Sequence, residues 1–379
     1  MLPCRFRIAA LSVAAVLILA CSPAVHAQQD DSSPHDAEGN VISSKAVDPA
    51  QMRAVMLAAA TQVIAPGYAR FHAAGEKLVG ATESLCAAPH EARLASARSA
   101  FTETALAWGH VENIRFGPVM SDNRLERVLF WPDRKGIGLK QVQGLLAKKD
   151  ETALDPETLA SKSVAVQGLG ALEFALFGAG SDKLARESGY RCSFALAVSR
   201  NLAAIGGELA RAWKKPEVVL SVWLSDDDPN ATTEMLNELV GALVHGLEAT
   251  RDIRLRGFMG DTPEKDRPRV ALFRRSGNTV PMIAADIEGL RDLFVGSGME
   301  TLLPDDVGSI GDSIRFEFGE LIDVAGNIRK PIAEAVADPD ERQRLALLDI
   351  VMDSLIERFD TQYAPATGLT SGFSFSDGD

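Results

Sequence analysis

Glu173 is the single charged side chain in the seventeen residues from Val164 to Gly180, and Gln167 is the single amide. A carboxylate in apolar surroundings must be paired, metal-bound or protonated, because burying the bare charge is costly. The segment is too short and too rich in glycine to cross a bilayer. As a helix it is apolar all round, which places it centrally in a fold. On that helix Glu173 shares a stripe with Val166, Leu169, Gly170 and Phe177. Gly168 and Gly170, one turn earlier, leave backbone space above the carboxylate. Its candidate neighbours are Gln167, Glu112, Arg115, Arg127, Asp133, Arg275 and Ser276. Arginine would neutralise Glu173 in a structural pair or bind an anionic ligand through paired N–H groups. Oxygen ligands would instead hold a hard cation such as Fe³⁺ or Ca²⁺. Residue types alone leave these readings open.

Other chemistry-bearing residues are sparser. His245 and Glu248 are spaced to share a helix face, but two ligands do not make a metal site. His35 lies in the tether, His90 lies in a helix-start turn, the facing of His72 is left open, and His110 and Glu112 fall on nearly opposite faces of one helix. No His-Glu-x-x-His stands in the chain. Asp226, Asp227 and Asp228 before Pro229 lack the spacing of a Ca²⁺ loop and read as a solvated turn.

The elements that must position these residues are helical nearly throughout. Asp48 before Pro49 reads as a cap with proline just inside a helix. An Ala-rich stretch runs from Gln51 to Cys86, with kinks expected at Pro66-Gly67 and Gly75. Leu94, Ala97, Phe101, Ala105 and Trp108 recur at helical spacing. Residues 113–138 break that pattern and read as a structured loop with a short helix near Asn123–Phe130. Helices are expected over Val164–Gly178, Ser188–Trp213, Thr232–Leu255, Asn278–Phe294, Asp305–Ala335 and Pro339–Gln362. No stretch alternates with period two. The expected fold is all-α, two helical-bundle domains spanning 48–215 and 216–379, with a site at or near their interface. Leu369, Phe373 and Phe375 in the Gly/Ser-rich tail are expected to pack back on the body.

The segment Gly168-Leu169-Gly170-Ala171-Leu172-Glu173 resembles the Gly-x-His-x-x-Glu motif of the imelysin-like proteins, exported bacterial proteins of the imelysin peptidase family. Trp108–Glu112, Arg115–Pro118, Asn123–Arg127, Phe130–Asp133, Phe273–Ser276 and the Asn278–Leu293 helix are similar too. The resemblance covers roughly residues 48–379. It implies an all-helical protein of two bundle-like domains, a site around the motif where they meet, and an association with bacterial iron acquisition. The family was first named for metallopeptidase activity. Here Gly170 stands where the family motif has His. A His and a Glu at i and i+3 can hold one metal ion, and losing the imidazole removes the best nitrogen ligand. A zinc peptidase is therefore not expected.

The leader supplies the compartment. Arg5 and Arg7 precede an apolar run from Ile8 to Ala20, and Val25-His26-Ala27 has the small-x-small form of a signal-peptidase site. Residues 1–27 read as a signal peptide and 28–47 as a polar tether. A lipoprotein box ending at Cys21 competes, which would anchor the protein by lipid. Either case means export to the periplasm. Cleavage after Ala27 removes two arginines and takes the net charge from −13 to −15. Cys86 and Cys192 then remain, an even pair that suggests a disulfide in an oxidising compartment; two buried thiols are the alternative. The acidic balance, with no strong basic patch, argues against nucleic-acid binding. No transmembrane domain is expected in the mature chain. The favoured function is a non-catalytic binding or accessory protein of iron uptake, with iron or another divalent or trivalent cation as a candidate cofactor and envelope iron-uptake components as partners. An imelysin-type metallopeptidase and a structural envelope protein with a decayed site are the alternatives.

Overall fold

Asp48 and Pro49 open the first helix, Pro49–Ala58. The Asp48 carboxylate accepts from the Ala50 N–H at 3.0 Å. Proline in the first turn lacks only an N–H that would have no helical partner there. Asp155 before Pro156 and Asp338 before Pro339 repeat the device. The computed structural model describes residues 47–224 and 230–372. The leader, residues 28–46 of the tether, the Asp226–Asp228 turn, Phe373 and Phe375 lie outside the described residues. Among the described residues every regular element is a helix, so the fold is all-α. No described helix is long and apolar enough to cross a membrane.

The Ala-rich stretch forms two helices, Pro49–Ala58 and Ala65–Ala87, joined by a π-helical turn at Ala59–Ile64. That wider turn lies just ahead of Pro66, whose ring obstructs the carbonyl four residues back. Gly75 continues its helix without a break. The single helix expected over Asp305–Ala335 is split into Ser309–Gly326 and a short Ile332–Ala335 turn. Pro331 has no N–H to carry the ladder between them. The motif segment is also less helical than its apolar run suggests: Val164–Val166 is a 3₁₀ turn and the α-helix runs only from Leu169 to Phe177.

Ala65–Ala87 packs against Tyr190–Ala212 and Glu91–Gly109 to form the first bundle. Phe71 and Trp108 meet inside it with ring centroids 5.1 Å apart. A Cys86–Cys192 disulfide joins the end of the first of these helices to the start of the second across 106 residues of sequence. Ala231–Glu248, Thr279–Gly296, Ser309–Gly326 and Pro339–Arg358 form a second bundle. The halves meet directly, Glu91–Gly109 against Thr279–Gly296 and Pro49–Ala58 against Ala231–Glu248. At the first of these crossings a Cβ on Gly289 would lie 2.4 Å from the His110 carbonyl oxygen, so only glycine allows the approach. The described residues all fall within one compact unit. Leu369 of the tail is buried.

Candidate functional site

Both ends of the Leu169–Phe177 helix are held by other elements. At its start, a Cβ on Gly168 would fall 2.3 Å from the Val128 carbonyl oxygen, so glycine is required for the two backbones to meet. Beside it, Arg127 Nε donates to Gln167 Oε1 at 3.0 Å and Arg127 Nη2 donates to Asn201 Oδ1 at 3.1 Å. Asn201 Nδ2 donates to the Gln167 carbonyl at 3.0 Å and closes the ring. At the other end the Gly178 N–H donates to the Phe174 carbonyl at 2.9 Å, and the carbonyls beyond it look to side chains for donors. Arg98 Nε donates to the Leu176 carbonyl at 2.9 Å, and Arg191 Nη1 donates to those of Phe174 and Ala175 at 3.2 and 3.1 Å. Two cations at a helix C-terminus also complement its dipole.

Glu173 is buried and reaches a turn of the C-terminal half. Its Oε1 accepts from the Arg275 N–H at 2.9 Å, the Ser276 N–H at 3.0 Å and Ser276 Oγ at 3.2 Å. Its Oε2 accepts from Arg275 Nη1 at 3.3 Å. Two successive backbone N–H groups thus hold the carboxylate as such groups hold any anion. The turn starts at Phe273, a buried aromatic residue at φ 53°, whose carbonyl accepts from Asn278 N at 3.0 Å. That left-handed conformation is unfavourable for phenylalanine and must be held by its surroundings. The Arg275 guanidinium lies 5.4 Å from the Phe174 ring centroid, and Arg191 lies 5.6 Å from it. Glu173 therefore clasps residues more than a hundred positions away in the other half.

Glu173→Ala is expected to destabilise the fold by about 2–3 kcal/mol, because it strips the acceptor from enclosed N–H groups. Glu173→Gln keeps one acceptor oxygen and should lose less. Urea-denaturation midpoints read both, and an unchanged midpoint for Glu173→Ala would show that the clasp is energetically idle.

The charge around this clasp is unbalanced. Arg274 lies beside Arg275 and Arg269 and has no hydrogen bond or ion pair among the described residues. Burial lowers its pKa; Arg275 and Arg269 lower it further, and Glu173 opposes them. Gly170 is exposed at the first turn of the motif helix, and a Cβ there would meet nothing within 4 Å.

Of the residues singled out by sequence, Glu173, Arg275 and Ser276 come together. Gln167 and Arg127 form the adjoining ring with Asn201. Asp133 Oδ2 accepts from Leu139 N at 3.0 Å and caps the helix Ile137–Lys148. Arg115 is exposed and lines a cavity of about 630 Å³ together with His245. His245 and Glu248 occupy the end of the helix Ala231–Glu248. Glu112 turns instead to Arg254, which sequence reading did not single out.

The imelysin family model matches residues 64–357. The chain belongs to the imelysin family. Among solved structures, this chain is similar to an imelysin-like protein from Psychrobacter arcticum 273-4, with 19% identity and a TM-score of 0.73 over 87% of this chain and 100% of that one. It is also similar to a protein from Parabacteroides distasonis ATCC 8503 provisionally named iron-regulated protein A precursor, with 12% identity and a TM-score of 0.66 over 86% of this chain and 99% of that one. Both likenesses show the shared fold. No curated protein matches the chain significantly.

The donor set around Glu173 does not fit a peptidase metal. Gly170 offers no ligating atom, and both Glu173 oxygens already accept from N–H or O–H donors. A cation there would also face the Arg275 guanidinium. Among the described residues no group of three or more His, Cys, Asp or Glu side chains is arranged to hold a metal ion.

What sequence reading missed is a second buried carboxylate system. Arg254 Nη2 donates to Glu112 Oε1, and Arg254 Nε lies 2.9 Å from Asp286 Oδ2, an ion pair without the alignment of a hydrogen bond. Asp286 is fully buried. The π-helical turn Ala249–Leu255 carries Arg254. A signal was present: Asp286 is a lone acid in the apolar run Val280–Ile287, just as Glu173 is in its own.

Burial pushes the Asp286 carboxyl well above the usual carboxylate range; Arg254 opposes this, and Glu112 adds to it by charge and hydrogen bonding. The folded chain therefore keeps a proton that the unfolded chain releases near pH ~4. This stabilisation is complete below that pH and is lost as pH rises through the folded-state value. Asp286→Asn, which imitates the protonated carboxyl, is expected to flatten the fall in urea stability above pH ~4. The same slope in wild type and variant would overturn this assignment.

Proposed function

We propose that this member of the imelysin family is an exported, non-catalytic binding or accessory protein of bacterial iron acquisition. Its ligand is a small anion or an anionic metal chelate, taken where the motif helix meets the Phe273–Asn278 turn. The observation that carries this reading is the surplus of guanidinium groups. Arg274 and Arg275 face one carboxylate that is already engaged, Arg269 adds its charge beside Arg274, and Gly170, one turn before Glu173 on the motif helix, is exposed. Such a site attracts anions and repels bare cations. Family membership and the iron-regulated name of the Parabacteroides relative support the iron context.

Untagged protein mixed with ferric citrate is expected to retain iron through gel filtration at close to one equivalent. Arg274→Glu should abolish that retention. No retention by wild type, or equal retention by the variant, would overturn the reading. The peptidase alternative requires metal-dependent cleavage of a peptide library that disappears in Glu173→Ala.

The leader supports export. Mass spectrometry of the mature protein distinguishes a free N-terminus at Gln28 from an acylated Cys21, and an intact Met1 would refute processing.

A further inference from the structure

A second cavity, of about 350 Å³, opens between the Trp131–Arg134 segment of the N-terminal half and residues 252–271 of the C-terminal half. None of the motif residues lines it. Its size suits a small molecule and excludes a folded partner. One part of its wall is apolar: Trp131, Phe258 and Val270, the last 49% exposed. The other part is cationic. Arg134 and Arg267 are exposed and have no ion-pair partner among the described residues. The acids at the wall are engaged elsewhere. Asp252 pairs with Arg251 and Arg256, and Asp133 caps a helix.

A separate observation points the same way. Trp131 Nε1 and Arg254 Nη1 are buried and have no hydrogen-bond acceptor among the described residues. Both belong to residues that line this cavity. A buried donor without an acceptor is costly, and native structures rarely leave two on one wall. The lining therefore supplies donors and positive charge, its two carboxylates being engaged elsewhere, against an apolar surface.

We propose that this cavity is a binding site for a small organic anion. Its carboxylate, sulfonate or phosphate group faces Arg134 and Arg267, and its flat apolar body lies on Trp131, Phe258 and Val270. Guanidinium supplies the charge-assisted hydrogen bonds, and the aromatic wall supplies the burial that inorganic anions cannot use. The site is independent of the anion site proposed at the motif.

The test uses the full mature chain and two fluorescent probes of matched shape, 8-anilino-1-naphthalenesulfonate and its uncharged analogue N-phenyl-1-naphthylamine. The sulfonate is expected to bind at one equivalent and to quench a tryptophan signal that is absent in Trp131→Phe. Arg134→Glu combined with Arg267→Glu should weaken the sulfonate about tenfold or more while leaving the neutral probe little changed. Val270→Asp should weaken both. All three positions are at the surface, so the variants are expected to fold, and their urea midpoints check this. Sulfonate binding that ignores the arginine reversals would overturn the proposal. So would inorganic phosphate displacing the sulfonate at comparable concentration, because the apolar wall would then contribute nothing. Loss of ferric-citrate retention with sulfonate binding intact would count against the motif site alone.

Discussion

Replacing Arg254 with Met is expected to lower the unfolding free energy by about 3–5 kcal/mol, the usual loss when one partner of a buried ionic group is removed. The Arg254 side chain is 10% exposed, and its acidic partners Glu112 and Asp286 are 7% and 0% exposed. Methionine fills much of the same volume, so little of the loss is packing. What remains is the Glu112 carboxylate beside the protonated Asp286 carboxyl, with no cation and little water. The three residues come from three elements: the turn that follows the Glu91–Gly109 helix, the π-helical turn and the Thr279–Gly296 helix. Their failure would therefore loosen the junction between the halves. Adding Glu112→Gln and Asp286→Asn to Arg254→Met should restore most of the stability, because no charge is then left buried. Urea denaturation of the wild type, Arg254→Met and the triple variant measures it. A loss under 1 kcal/mol for Arg254→Met, or no recovery in the triple variant, would mean that solvent screens the cluster.

Removing the disulfide is the second large effect. Cys86 and Cys192 close a loop across 106 residues. In the chain-entropy treatment a loop of that length stabilises by about 4–5 kcal/mol, almost all of it by restricting the unfolded chain. Cys86→Ser with Cys192→Ser should therefore lower the urea midpoint and raise the denaturant slope, since the unfolded ensemble expands. Reduced wild-type protein should behave like the double variant. Equal midpoints for the reduced and oxidised protein would show that the bond adds nothing to the fold. The bond joins two helices already packed along their lengths, so the native helices should form without it.

Which features were legible follows from how far each depends on distant residues. Asp48-Pro49 and Asp338-Pro339 announce helix starts because a cap involves only the next few residues. The Asp305–Ala335 stretch misled because its composition is helical while Pro331 interrupts the ladder. Glu173 stood out as a lone charge in an apolar run, and Arg275 and Ser276 were among its named candidates. Glu112, Arg127 and Asp133 were candidates of equal standing, yet each has a different partner. Asp286 carried the same mark as Glu173 and went unnoticed, as did Arg254 inside a run that reads as ordinary mixed charge.

By itself the sequence determined an all-helical chain, the helix starts, the lone carboxylate of the motif and the resemblance to the imelysin family. These rest on periodicity, caps and short motifs, which act within a few residues. Only the tertiary structure decided the pairings. Glu173 meets Arg275 across 102 positions, and Glu112 meets Arg254 across 142. Helical periodicity says which face a side chain occupies, but which helix lies against that face depends on how the two bundles cross.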